Sequence, residues 1–325
     1  MTVAAQQPVA VVDGVELCRW DRDLFEELRQ GGVAGVNVTC AFWEDAAGTL
    51  ANVGRLFATL REHADIVVRV RTAAEIEQAH ADGRVGFLLG FQNTSPFEDD
   101  LDLVAGFHGL GVRVVQLTYN NQNLVGSGCY EETDNGLTRF GKLVVRELNQ
   151  HGMLIDLSHV GTETSLDAIR LSDDPVAITH ANPRWFHDVP RNKPDDVIRA
   201  VASAGGVVGV CVYPLVLPGG AACGWSQFSE MLLRLLDEIG PEHVAVGTDF
   251  TLKQPVEFIS WLRAGTWTRA HQDVVEPAWP DWLRSPAAFP QFAERLRELG
   301  VGESEVRLIL GGNWLRLLRQ LEQGQ

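Results

Sequence analysis

Eight short runs rich in Val, Ile and Leu recur along the chain, at residues 9–17, 33–41, 85–92, 112–120, 153–159, 176–180, 207–213 and 244–250. Each is almost continuously apolar, the pattern of a strand buried on both faces. Between them, apolar residues recur every three or four positions at 21–30, 100–109, 137–150, 162–172 and 194–204, which predicts amphipathic helices. The helix at 194–204 opens with Pro194 followed by Asp195 and Asp196, a favourable first turn. Gly152 and the Gly205-Gly206 pair stand where helices should stop. Strands alternating with helices predict parallel βαβ units. The Gly-x-Gly-x-x-Gly turn of an open dinucleotide-binding sheet does not follow the first strand. The expected fold is an α/β, (β/α)8 TIM barrel, with residues 1–325 forming one domain.

That architecture gives meaning to the polar residues that end the runs, because barrel enzymes draw their chemistry from the C-terminal ends of several strands. The run at 85–92 ends in Gly90-Phe91-Gln92, and the run at 112–120 in Thr118-Tyr119-Asn120. The next two end in Asp156-Leu157-Ser158-His159 and in Thr179-His180, and the last in Gly247-Thr248-Asp249-Phe250. All are expected in one cavity at one mouth. His159 and His180, on adjacent strands, form a candidate metal pair. Asp249 is a candidate ligand, general base or structural carboxylate. Arg191, on the loop after 176–180, has the planar fork that grips a carboxylate, with a solvated side chain as its plain alternative. His187, in the same loop, is a weaker third-ligand candidate. His63, His80, His108 and His151 fall on helices or turns and are assigned to surface or packing. The turn Gly126-Ser127-Gly128, before Cys129 and Tyr130, either covers the mouth or is a plain loop. The stretch 253–287 is a lid or an interface element.

Composition narrows the partners. A net charge of -16 excludes a nucleic-acid surface, which needs clustered Lys and Arg. No apolar run approaches the ~18 residues of a membrane span, and the N-terminus lacks the pattern of a signal peptide. The five cysteines are scattered without a Cys-x-x-Cys pair, so reduced thiols in a cytoplasmic protein are expected.

Four segments together resemble the membrane (renal) dipeptidase family of zinc hydrolases. They are Leu154-Ile155-Asp156-Leu157-Ser158-His159-Val160, Pro190-Arg191-Asn192-Lys193-Pro194-Asp195-Asp196, Val246-Gly247-Thr248-Asp249-Phe250 and Gly312-Asn313-Trp314-Leu315. The resemblance spans nearly the whole chain. It implies a barrel of the metal-dependent hydrolase type, two zinc ions, dipeptide hydrolysis and a homodimer. By position, His159 and His180 match the two histidines of the second zinc, Asp249 the catalytic acid and Arg191 the substrate-carboxylate arginine. The departures are large. The family's first strand carries Asp-Gly-His-x-Asp, and this chain reads Asp13-Gly14-Val15-Glu16-Leu17. Gln92 stands at the bridging Glu, and Tyr119 at the His that follows the fourth strand.

The ligand count predicts at most one divalent ion, zinc by the resemblance, at His159 and His180, with a metal-free site as the alternative and no binuclear centre. The expected activity is hydrolysis of the amide bond of a dipeptide or dipeptide-like small carboxylate. Asp249 handles protons, Arg191 holds the carboxylate, and His159 and His180 bind one ion or polarise the scissile carbonyl. Tyr119 and Gln92 offer hydrogen bonds to substrate or intermediate. Two rivals remain: a lyase or isomerase of a small carboxylate, and a binding pseudoenzyme.

Overall fold

The computed structural model describes residues 10–264 and 276–323. Nine parallel strands form one sheet: β1 (Val11–Glu16), β2 (Val33–Ala41), β3 (Val67–Val70), β4 (Val85–Phe91), β5 (Val112–Gln116), β6 (Leu154–Asp156), β7 (Ala177–Ile178), β8 (Val207–Val210) and β9 (Val244–Val246). Eight of them pair in the order β1-β2-β4-β5-β6-β7-β8-β9. The ends of that path meet beyond the strands: Leu17 N donates to Phe250 O at 2.9 Å and Asp249 N to Val15 O at 3.1 Å. The sheet is thus a nearly closed (β/α)8 barrel, with helices between successive strands. β3 is a ninth strand absent from the pattern of apolar runs. It pairs only with β4, over Val85 to Leu88, while β5 takes that side of β4 from Leu89 onward. Being short and half exposed, it lacks the long apolar run that marks the barrel strands.

Two apolar layers hold the barrel. One residue from each path strand (Val12, Ala34, Leu88, Val114, Leu154, Ala177, Val207 and Ala245) joins a buried cluster completed by Trp314, Leu317 and Leu318. The terminal helix Asn313–Gln323 is pinned there: Trp314 Nε1 donates to Val246 O and Asn313 Nδ2 to Val244 O, both at 2.8 Å. The outward-facing set, such as Val36, Phe87, Val115 and Ile155, packs against the helices. Gly247 is required by close approach, since a Cβ there would lie 1.7 Å from the Thr179 carbonyl oxygen.

The helices start where their caps direct. Asp21 caps Arg22–Gln30 by accepting from Leu24 N, and Thr138 caps Arg139–Gln150 by accepting from Gly141 N. Gly152 and Gly205 adopt positive φ, as expected of residues after helix ends.

Several strands are shorter than their apolar runs. Tyr119, His159, His180 and Asp249 lie just past the strands, on the loops of the mouth. Two buried aspartates act at the ends that lead to His159, His180 and Asp249. Asp156 Oδ1 accepts from Ser158 N and from Thr179 N, while Oδ2 accepts from Thr179 Oγ1. Asp13 treats Val15 N, Thr248 N and Thr248 Oγ1 in the same way. A side-chain carboxylate takes the place of a ladder carbonyl, which interrupts the regular pairing at these two seams.

Candidate active site at the barrel mouth

A cavity of about 390 Å³ opens at the C-terminal ends of the strands. Tyr119, Asn120, His159, Arg191, Tyr213, Asp249 and Arg263 supply its polar lining, with Leu17, Leu215, Val216 and Leu262 among its apolar walls. Of the residues singled out in the sequence, Tyr119, His159, Arg191 and Asp249 line this space. Tyr130 also lines it, so the turn at Gly126–Gly128 delivers a residue to the mouth.

Two expected members do not line it. Gln92 is buried and turned toward β2, its amide donating to Thr39 Oγ1 at 2.9 Å. His180 is wholly buried behind His159, with their Nε2 atoms 3.1 Å apart. The common cavity expected for Gln92, Tyr119, His159, His180 and Asp249 is therefore corrected to three of the five. Hydrogen bonds within the barrel wall override the outward direction of a strand end. His187 is also absent from the lining; its carbonyl accepts from Asn192.

Asp249 holds a left-handed backbone, φ 58°, uncommon for non-glycine residues but open to Asp and Asn more than to most. No described residue donates a hydrogen bond to its carboxyl, and burial pushes its pKa up to about 7, against the lowering pull of Arg191. Arg191 is buried, not solvated: one terminal nitrogen donates to Ser158 O at 2.5 Å and the other to His180 O at 2.7 Å. These bonds fix the guanidinium and leave N–H groups over for a ligand. The Tyr119 ring stacks on His159, with centroids 4.3 Å apart, and packs edge-on against Phe42 and Trp43. Burial, with Asp249 adding to it, raises the Tyr119 phenol well above its ordinary pKa, so it remains a donor.

The imidazoles are oriented by a chain of polar groups. Thr179 Oγ1 donates to Asp156, so it accepts from His180 Nδ1 at 2.7 Å. Asn120 Oδ1 accepts from His159 Nδ1 at 2.6 Å. Both Nε2 lone pairs then face one another. Burial, followed by Arg191, holds both rings well below the usual histidine pKa and keeps them neutral.

A model of the family described as membrane dipeptidase (peptidase family M19) matches residues 17–260. The chain belongs to the membrane dipeptidase family. A solved amidohydrolase from Pseudomonas aeruginosa superposes with a TM-score of 0.92 at 37% identity, covering 96% of each chain. A metallo peptidase from Rhodobacter sphaeroides, crystallised with a phosphinate mimic of L-Ala-D-Ala, shares the fold at a TM-score of 0.82 and 22% identity, over 97% of this chain and 100% of that one. Dipeptidase verJ of Clonostachys rogersoniana is 25% identical over 316 residues, 92% of this chain and 75% of that protein.

The membrane dipeptidase family is one of metallopeptidases, and the donor set of this chain meets that chemistry only in part. Val15 and Leu17 offer nothing to a metal. Glu16, the remaining acid of that segment, is buried outside the cavity with Cys18 Sγ at 3.6 Å. Among the described residues no group of three or more His, Cys, Asp or Glu is placed to hold an ion. A two-metal centre does not fit these residues. The converging, neutral Nε2 atoms do suit one ion, since Zn–N bonds are about 2.1 Å and such a pair can share it. Sequence reasoning passed over Asn120, Thr179 and Asp156 as orienting groups, and Tyr213 and Arg263 as lining residues. The Asp156 segment stands out for its motif, but its pairing with Thr179 is a contact between strands that no local pattern announces.

Among the described residues no helix is long and apolar enough to cross a membrane. All five cysteines are free.

Proposed function

We propose that the chain, acting as one barrel domain, hydrolyses the amide bond of a dipeptide or dipeptide-like small carboxylate. The observation that carries this reading is the convergence of Arg191, Asp249, His159 and Tyr119 on one cavity. Arg191, held by two carbonyls, presents its spare N–H groups to the substrate carboxylate. Asp249, with a pKa near 7, is matched to remove a proton from the attacking water and return it to the leaving amine. Tyr119, kept protonated, donates to the developing oxyanion. His159 and His180 are the residues that would hold a single divalent ion, zinc by family chemistry. When bound, that ion would polarise the scissile carbonyl and acidify a water. Without it, His159 alone faces the cavity, offering an acceptor nitrogen, and His180 stays buried behind it.

The test is a screen of free-acid and C-terminally amidated dipeptides and N-acyl amino acids, run beside elemental analysis of dialysed protein. Turnover of free acids, with no more than one ion per chain, is expected. Equal rates on free-acid and amidated substrates would refute the role of Arg191. Two zinc ions per chain, with activity lost to a chelator and restored by zinc, would refute the ligand count.

A further inference from the structure

The cavity runs against the charge of the rest of the protein. The chain carries a net charge of -16, yet two arginines and a single carboxyl line this space. Arg191 has its role above; Arg263 has none. It lies in the helix Val256–Ala264, at the start of the 253–287 stretch, of which residues 265–275 lie outside the described residues. Ile259 and Leu262 of that helix are buried in a cluster with Leu17, Phe42 and Tyr119. Trp43 Nε1 donates to Leu262 O at 3.3 Å. The helix is thus clamped over the mouth, and Arg263, next to Leu262, is delivered to the cavity wall. A terminal nitrogen of Arg263 donates to the Tyr213 hydroxyl at 3.4 Å, and its Nε is buried without a hydrogen-bond partner. Among the described residues no carboxylate pairs with it. Arg263 as a whole is half-buried, but the N–H at its buried Nε is unfavourable until something accepts from it.

We propose that Arg263, oriented by Tyr213, is a second anion-recognition point, and that the preferred substrate carries two carboxylates, one for Arg191 and one for Arg263. The substrate class is an amide between an acidic amino acid, or a dicarboxylic acyl group, and a second small unit. The inference rests on the hydrolase reading of the same cavity. Two guanidiniums against one ionised carboxyl leave one positive charge unbalanced, which a dipeptide with two carboxylates and one ammonium matches. The apolar side walls exclude water and strengthen both contacts.

The experiment compares kcat/KM on the isosteric pairs Ala-Glu and Ala-Gln, and Glu-Ala and Gln-Ala, for the wild type, Arg263→Gln and Arg263→Lys. The wild type is expected to prefer the charged member of at least one pair by about 10-fold or more, the size of one charge-assisted hydrogen bond. Arg263→Gln should bring that ratio close to 1, mainly through KM, and Arg263→Lys should keep part of it. No preference in the wild type, or a preference that survives Arg263→Gln, overturns the proposal. A second arm needs no turnover: calorimetric binding of glutarate against its monoamide, glutaramate. If no dipeptide is cleaved but the wild type favours glutarate and Arg263→Gln does not, the hydrolase reading fails and the second anion point stands. If dipeptides are cleaved without charge discrimination, the reverse holds.

Discussion

At the seam between β6 and β7, Asp156 is buried and accepts from the N–H and hydroxyl of Thr179 on the neighbouring strand. At the seam between β1 and β9, Asp13 does the same to Thr248. The two devices share a geometry, but Asp156 ends its strand while β1 runs on past Asp13 to Glu16, and the residues they lead into differ. Beyond Asp156 and Thr179 come His159 and His180. Beyond Asp13 come Val15 and Leu17, and Leu17 joins an apolar cluster with Phe42, Tyr119, Ile259 and Leu262. The two seams share a hydrogen-bonding device, while the histidines follow only one of them. The hydrogen bonds that shape a mouth do not by themselves dictate which side chains follow them, because those bonds also serve the sheet.

The group that the β1–β9 seam does send into the cavity with a titratable side chain is Asp249, and its removal should have the largest effect. Asp249→Asn tolerates the same left-handed backbone and should lower kcat/KM by roughly 10²–10⁴-fold, the usual contribution of a positioned acid–base group. In the wild type, kcat/KM should rise with pH through about 7, since the base works ionised. The sign for stability is opposite. A carboxyl whose folded pKa is raised from 3.8 to about 7 makes the protein lose stability as pH climbs between those values. Asp249→Asn should therefore be the more stable protein at pH 8, by on the order of a few kcal/mol. Denaturant titrations of both proteins at pH 5 and pH 8 measure it, and an unchanged difference would disprove the buried charge.

The two seams can be set directly against each other with Asp156→Ala and Asp13→Ala. Each strands buried donors, so each should lose about 3 kcal/mol or more, read as a lower midpoint in urea. Only Asp156→Ala should also release Thr179 from its bond to the carboxylate and reorient His180, which a histidine NMR titration would detect. Similar histidine shifts in both variants would erase the distinction between the seams.

Arg191→Lys should raise KM by about 10-fold, because an ammonium cannot hold two carbonyls and a carboxylate as a fork does. A loss confined to kcat would argue for a role in the transition state instead. The smallest effect is expected at Gln92. Lying outside the cavity, Gln92→Met should change kcat/KM by less than about 3-fold, while costing about 1 kcal/mol for its bond to Thr39. A large catalytic defect would return Gln92 to the site.

The barrel was legible in the sequence because burial on both faces writes itself as continuous apolar runs. The run at Val33–Ala41 coincides with its strand, and all eight runs hold a strand of the barrel path. The residue types past the strand ends were legible too, as was the absence of metal donors at Val15 and Leu17. Only the tertiary structure decided which of those residues face the cavity. Strand periodicity sets side-chain direction while a ladder stays regular; it is interrupted at Asp13, where β1 continues irregularly to Glu16, and it ends at Asp156. After that, direction depends on partners far away in the chain: Thr39 draws Gln92 aside, Thr179 sets His180 behind His159, and two carbonyls pull Arg191 inward. Arg263 reaches the mouth because Ile259 and Leu262 pack against Phe42 and Tyr119, more than a hundred residues earlier in the chain, and no local pattern carries that information.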